Sequence, residues 1–427
     1  MRWMIVLSGL LQLALGAFTA HPYDGRVFLA AGYSVAHGNS PYEWTDVSSV
    51  FGNTVFPKPI SGIGYPPPWG LILALSYLTS YGLFPNIIFY NLVTKIPVVI
   101  SNVLLALLIG RIVLLQTSDA GLSERSIKFM LFNPYVIYTT AVWGQFDTLP
   151  TLMMLLAVIE LAQDRRWHSA IALGTSVALK LIPIILLPLA VMYEKKNGGR
   201  SHAIQYLLCV VVVMGFSLTP FLLGWSIQPI IQNWNVHFVQ LGAFSPMSLL
   251  HLLGVHEGSN ELRYLGLFWL VPLTLLYCFL SRRVIVSLPD LIFSTLALLL
   301  CFFLGRTWVS EQNLNFILPF VVFGAMTGKW TWKWVTMTWL LPLFFTFFNM
   351  SPLLMLFLVV PEPTLRALSP HTVFSGVVET ARICTTAIWL VIGLAVLKRS
   401  VGGLSKPAMP AFVAATKHGP DLGRAAS

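Results

Sequence analysis

Long apolar runs, broken by short polar hinges, make up most of this chain. The first, "MRWMIVLSGLLQLALGAFTA", carries one basic residue near its start. It stays apolar for about 18 residues, enough for a helix that reaches across the hydrocarbon of a bilayer. Its "FTA" end also fits a signal-peptide cleavage site, but the many later runs favour an uncleaved first helix. A polar stretch follows, and the first outer loop is expected over about residues 21–85. Within it, "DGRVFLAAGYSVAH" has the spacing of an amphipathic helix lying at the membrane interface. The run at 68–84 is too short for a comfortable crossing and is read as an interfacial or re-entrant helix. Further spans are expected over 86–114, 127–142, 147–163, 168–180, 181–193, 203–224, 261–281, 288–305, 312–327, 333–349 and 374–397. With the first helix this gives an all-α polytopic membrane protein, a single domain over 1–397 with about 12 transmembrane helices. The pair 168–193 is expected to break near Lys180–Pro183, because proline cannot continue the helical ladder. Broken backbone at membrane depth is tolerated where it lines a cavity.

Charge decides the orientation. Basic residues gather in hinges: Arg125/Lys128, Arg165/Arg166, Lys195/Lys196/Arg200, Arg282/Arg283, Lys329/Lys333 and Lys398/Arg399. If 68–84 does not cross, all of these fall on one side, which the positive-inside rule makes cytoplasmic, together with both termini. Residues 398–427, rich in Gly, Pro and Ser, read as a disordered cytoplasmic tail. Composition agrees: 56% of residues are hydrophobic and 10% charged, against about 25% charged in soluble domains. The lipid bilayer is therefore a partner. The net charge of +10 is dispersed among hinges, so no continuous basic face is left for nucleic acid. The four cysteines lie in apolar segments and are not spaced for zinc.

On the other side the same topology collects Asp24, Arg26, His37, Asp46, Lys58, Asp147, Lys180, His237, Arg306 and Glu311. A charge at bilayer depth costs roughly 2.5–3.5 kcal/mol on insertion scales and usually faces a cavity or a partner. These groups therefore outline an outward-facing polar pocket. Asp24, in "HPYDGRVF", suits a general base or an N-cap of the helix that follows. Asp147, in "AVWGQFDTLP", suits a cap in the same way, and Gln145 and Asn133 suit polar contacts between helices. Lys180, in "VALKLIPIILLP", suits an anionic phosphate or a carboxylate such as Asp147. Lys95 suits snorkelling to the interface. Arg306 suits either Glu311 one turn away or an anionic substrate, and His237 is a lone loop histidine. No HExxH, CxxC, Walker or GxSxG pattern occurs. Broken helices and charges near the midplane also fit a secondary transporter of a polar or anionic solute. No matching pair of interrupted helices in two halves supports that alternative.

Three stretches taken together, "YDGRVFLAAGYSVAHGNSPYEW…YPPPWGLIL", "NPYVIYTTAVWGQFDTLPTLMMLLAVIEL" and "GTSVALKLIPIILLPL", resemble the GT-C superfamily of polyprenyl-phosphate-sugar-dependent glycosyltransferases. The nearest likeness is to the branch of the first GPI-anchor mannosyltransferase and its prokaryotic relatives. The resemblance implies a helical bundle with interfacial helices in the first outer loop and an active site on the extracytoplasmic side. It implies an inverting transfer of a hexose, mannose by likeness, from a dolichyl- or polyprenyl-phosphate sugar to a hydroxyl of a lipid-linked glycan or glycolipid. Asp24 would be the catalytic base, and Lys180 or Arg306 would hold the donor phosphate. Asp147, Gln145, Glu311 and His237 would position substrate. Several relatives carry two acidic residues near the first helix, whereas Asp24 stands alone, so a divalent metal is possible and no cofactor is implied with certainty. The implied location is the plasma membrane in a prokaryote, or the endoplasmic reticulum in a eukaryote.

Overall fold

The computed structural model describes residues 1–232, 240–283, 285, 287–369, 374–402 and 404. The chain is mostly helical. Its α-helices are α1 (Arg2–Phe18), α2 (Asp24–Ala36), α3 (Ser48–Phe51), α4 (Pro67–Leu78), α5 (Ile87–Thr117), α6 (Ala120–Leu131), α7 (Pro134–Ile137), α8 (Thr148–Ala162) and α9 (Arg166–Leu179). They continue with α10 (Leu187–Ser217), α11 (Thr219–Leu222), α12 (Asn260–Leu265), α13 (Leu270–Ser281), α14 (Leu288–Gly305), α15 (Leu318–Met326), α16 (Trp332–Asn349), α17 (Glu362–Ala367) and α18 (Ser375–Gly402). One pair of two-residue parallel strands, Gly242–Ala243 with Trp308–Val309, ties the later loops together.

Among the described residues, four helical segments are long and apolar enough to cross a membrane: Ile87–Thr117, Ile182–Ser217, Leu288–Gly305 and Ser375–Gly402. Shorter apolar helices, Arg2–Phe18, Pro67–Leu78, Thr148–Ala162 and Leu270–Ser281, stand beside them, and together they fit a membrane protein. Burial sorts the four. In α14, 89% of the apolar window is buried, against 17% in Ile182–Ser217 and 28% in α18, so α14 is central and the other two are peripheral. Several expected spans are split by local chemistry. The run at 127–142 stops at Leu131, where Asn133 caps a new turn by accepting from the N–H groups of Tyr135 and Val136 and Pro134 takes a first-turn position. That turn runs into a π-helical segment, Tyr138–Val142. The run at 312–327 becomes a 3-10 turn, Glu311–Phe316, followed by α15. α10 joins the expected 181–193 and 203–224 runs across a non-helical Gly199. The last helix reaches Gly402, so Lys398 and Arg399 belong to it rather than to a tail. Arg399 sits in its final turn, where a cation is favourable against the helix dipole. From residue 405 on, the expected tail lies outside the described residues.

The first outer loop holds the two expected helices. α4 has 12 residues, about 18 Å of rise, short of the roughly 30 Å hydrocarbon. α2 covers the expected segment but does not lie with one face outward: Gly25 through Gly32 are all buried. Its underside is pressed onto α4 and α5, and a Cβ on Gly32 would meet Tyr90 Oη and the Leu73 carbonyl, the latter at 2.6 Å. Only glycine permits that approach. The result is a second core of aromatic side chains around Phe28, Trp69, Tyr90 and Phe146, beside the larger core of the long helices.

Candidate active site

Asp24 is the first residue of α2, and two chain segments position it. The loop between α1 and α2 is pinned from both sides: Ala20 N–H donates to the Met355 carbonyl and His21 N–H to that of Trp143, each at 2.9 Å. The cap of α2 is not Asp24 itself. His21 Nδ1 accepts from the backbone N–H of Tyr23 at 3.3 Å and of Asp24 at 3.1 Å. This leaves Nδ1 no proton, so its 3.5 Å approach to Asp24 Oδ2 is not an ion pair. Burial lowers the pKa of His21, Asp24 partly opposes the shift, and Lys95 adds to it, which fits a neutral ring. The ring stacks on Trp143 with centroids 4.5 Å apart.

The side chain of Asp24 is thereby free for the segment 143–147. Trp143 Nε1–H donates to Asp24 Oδ2 at 2.8 Å and Gln145 Nε2–H donates to the same oxygen at 2.7 Å. No described residue bonds Oδ1, and the side chain is 23% exposed. The two donors reach one oxygen because the backbone turns sharply between them. Gly144 has φ +101°, and a Cβ there would strike the Lys95 ammonium. Lys95 does not snorkel: it is 2% exposed, and its Nζ is buried without a hydrogen-bond partner among the described residues. It borders a cavity of about 10 Å³ shared with Trp143 and Gly144, room for about one water. Gly144→Ala is expected to cost about 1–2 kcal/mol from the backbone conformation alone, and to lower any activity that needs Asp24 oriented. Thermal unfolding and turnover, measured on the same preparation, check both.

Asp147 closes the same turn. It occupies the N-cap position of α8 but makes no side-chain cap bond. Its Oδ1 instead receives the Lys180 ammonium at 2.5 Å, and its Oδ2 is buried with no partner among the described residues. Lys180 reaches it because α9 stops at Leu179 and Lys180 is extended, at φ −154° and ψ 134°. A 3-10 turn, Ile182–Leu186, with Pro183 in its first turn follows. This is the expected break. Lys180 also donates to Asn313 Oδ1 at 3.0 Å, and the rings of Tyr65, Phe146 and Phe316 surround its Nζ at 5.3–5.9 Å. Tyr65 links the two halves by donating to Gln145 Oε1 at 3.4 Å. Burial raises its pKa well above the usual value, so it stays a donor. A continuous chain thus runs from Asp24 through Gln145 and Tyr65 to Lys180 and Asp147.

The other expected residues divide. Glu311 lies on the same side of the bundle: Asn349 Nδ2–H donates to its Oε1 at 2.7 Å, and its carbonyl accepts from Tyr135 Oη at 2.6 Å. Arg306 ends α14 with its guanidinium over the Phe302 ring, 5.4 Å from the centroid. His237 lies outside the described residues. The expectation of a pocket lined by all the outer charges fails for four of them. Arg26 fastens the first loop to α17 through Glu362 at 2.8 Å and donates to the carbonyls of Pro22 and Val55. His37 packs on Tyr33 and Tyr77. Asp46 accepts from Ser48 N–H at 2.9 Å, and Lys58 is exposed. The charge of Arg26 is met by α17, and those of the other three by the loop's own structure or by solvent. Sequence reasoning missed Trp143, His21, Tyr65 and Asn313, although Trp143 and Tyr65 stand inside the stretches that carried the resemblance and His21 lies two residues before the first of them.

The donor set around Asp24 also bears on a metal. Its neighbours are an indole N–H, an amide N–H and an imidazole nitrogen already taken by two backbone donors. A hard divalent ion needs several oxygen ligands. Among the described residues no three His, Cys, Asp or Glu side chains come together to hold one, so the residues present do not fit a resident divalent ion.

The family model of glycosyltransferase family 87 matches residues 64–304, more than half of the chain. The chain belongs to glycosyltransferase family 87. It is a GT-C-like family, so the chain is a glycosyltransferase that works on a sugar donor and an acceptor. No curated protein matches the sequence. The match to family 87 takes in Tyr65, Trp143, Gln145, Asp147 and Lys180, while Asp24, Arg306 and Glu311 lie outside it.

Proposed function

We propose that this family 87 glycosyltransferase moves a hexose, mannose by resemblance, from a polyprenyl- or dolichyl-phosphate sugar to a hydroxyl of a lipid-linked glycan or glycolipid. The transfer takes place on the extracytoplasmic face of a bundle of about 12 spans whose termini are cytoplasmic. The observation that supports it most is the state of Asp24: one carboxylate oxygen held by two N–H donors, the other without a partner among the described residues at a partly exposed position. Such a group is oriented but uncommitted, as a general base must be.

In this reading Asp24 Oδ1 takes the proton of the acceptor hydroxyl as that oxygen attacks the anomeric carbon. The bond from that carbon to the phosphate oxygen breaks on the opposite face, and the lipid phosphate leaves with the electron pair. The anomeric configuration inverts. Lys180 has three N–H donors and two partners among the described residues, Asp147 and Asn313, so one donor remains for the phosphate. Arg306 offers the planar fork that binds phosphate through two hydrogen bonds. Preorganised cations of this kind stabilise charge as it develops on the leaving group. Asp147 acts by holding Lys180, while Glu311, Gln145 and His237 position substrate.

The test is transfer by the full chain in lipid, with labelled donors and a host membrane extract as acceptor. Transfer is expected from a polyprenyl-phosphate hexose and not from the corresponding nucleotide sugar. It is also expected to survive EDTA, because the atoms facing Asp24 are N–H donors. Transfer from the nucleotide sugar alone would overturn the donor assignment, and loss in EDTA would overturn the metal-free reading of the site.

A further inference from the structure

At the opposite end of α1 from Asp24 the surface opens into a groove. α1 rises about 21 Å between Met4 and Phe18, so this groove shares no wall with the site above. It has a volume of about 450 Å³ and is lined by Met4, Arg125, Lys128, Phe129, Phe132 and Trp332. Apolar and basic side chains are mixed there in a definite way. The Arg125 guanidinium carbon lies over the Trp332 ring, 5.0 Å from its centroid, and none of the ion pairs among the described residues includes Arg125. Lys128 pairs with Glu124 at 2.7 Å, but both side chains are nearly half exposed, where such pairs are weak. Phe129 packs on Trp332 at 5.0 Å. The surrounding sequence "GKWTWKW" repeats the theme: Lys333 and Arg399 both lie over the Trp334 ring, at 5.5 and 4.3 Å. Aromatic rings interleaved with cations mark the headgroup level of a bilayer.

From the mouth of the groove an exposed apolar strip runs along α1, with Trp3, Leu7 and Leu10 exposed by 84, 59 and 62%. A ligand that fits must therefore carry an anion at one end and hydrocarbon at the other. We propose that this groove binds one anionic phospholipid. Arg125 and Lys128 hold its phosphate, Trp332 and Phe129 pack on its glycerol region, and its acyl chains follow the exposed face of α1. The site goes beyond the glycosyltransferase reading, since it uses no residue of that site and needs no sugar.

Trp332 is its own reporter. The full chain, in nanodiscs of phosphatidylcholine, is titrated with phosphatidylglycerol brominated on its acyl chains. The Trp332→Phe variant gives the signal of the other tryptophans. The Trp332 component is expected to be quenched at a low anionic fraction and to saturate, whereas brominated phosphatidylcholine at the same fraction leaves it largely unquenched. Arg125→Gln and Lys128→Gln should each weaken the apparent affinity about fivefold. Equal quenching by the two lipids, or quenching that rises in proportion to lipid without saturating, overturns the proposal. Because this comparison uses the unaltered groove, it stands even where a variant folds poorly. A double variant that keeps its sugar transfer and still prefers phosphatidylglycerol would overturn the roles of Arg125 and Lys128.

Discussion

Asp24→Asn is expected to lower the turnover of sugar transfer by about 10²–10⁴-fold, the usual contribution of a positioned base, with little change in KM for the lipid donor. The substitution keeps the shape of the side chain. The amide oxygen of asparagine can still accept from Trp143 Nε1–H and Gln145 Nε2–H, the two bonds that tie α2 to the segment 143–147. The fold therefore survives, and what is lost is a group able to take the acceptor proton. Gln145→Ala separates orientation from proton transfer. It leaves the carboxylate but removes one of its two donors, and hydrogen bonds to charged groups are worth about 1.5–3 kcal/mol. That corresponds to roughly 10–150-fold in turnover if the whole bond is needed in the transition state. Steady-state kinetics on both variants, beside a thermal unfolding curve, decide the matter. Wild-type turnover in a folded Asp24→Asn enzyme would remove Asp24 as the base. A Gln145→Ala effect as large as that of Asp24→Asn would mean that the loop, not the carboxylate, controls the rate.

Why some of this was legible in the sequence, and some not, follows from where each interaction is encoded. The breaks at Asn133–Pro134 and Lys180–Pro183 are local: proline cannot extend a helix, and the residues that stop it are neighbours in the chain. The short α4 follows from length and the charge rule, which act on runs of residues. The partners of Asp24 and Lys180 are set by contacts between residues 33 to 133 positions apart, and no periodicity carries that information. Asp24 and Asp147 both stand where a capping residue would, and local reasoning assigns them caps. The structure gives the cap of α2 to His21 and turns both carboxylates toward other elements. Lys95 shows the opposite failure. Its place near a helix end suggests an ammonium reaching water, but Gly144 lies against it and the turn covers it.

The Lys180–Asp147 pair should give the largest stability effects in the molecule. Both side chains are at most 9% exposed and the ions are 2.5 Å apart. Removing one partner leaves the other charge buried and uncompensated, which costs about 3–5 kcal/mol, so Asp147→Ala and Lys180→Ala are each expected to unfold far earlier than wild type in mixed micelles titrated with SDS. Replacing both together with apolar residues of similar volume, Asp147→Leu with Lys180→Met, removes the desolvation cost along with the attraction. Such exchanges are often neutral or stabilising, and the double variant should recover most of the lost stability. It should not recover transfer. The structure accounts for two of the three ammonium donors, and the reading of the site gives the third to the leaving phosphate. A methionine supplies none, so KM for the polyprenyl donor should rise and turnover should fall even in a stable protein. If the double variant is stable and transfers sugar normally, the pair only holds α8 to the end of α9, and the phosphate must be held by Arg306 without it.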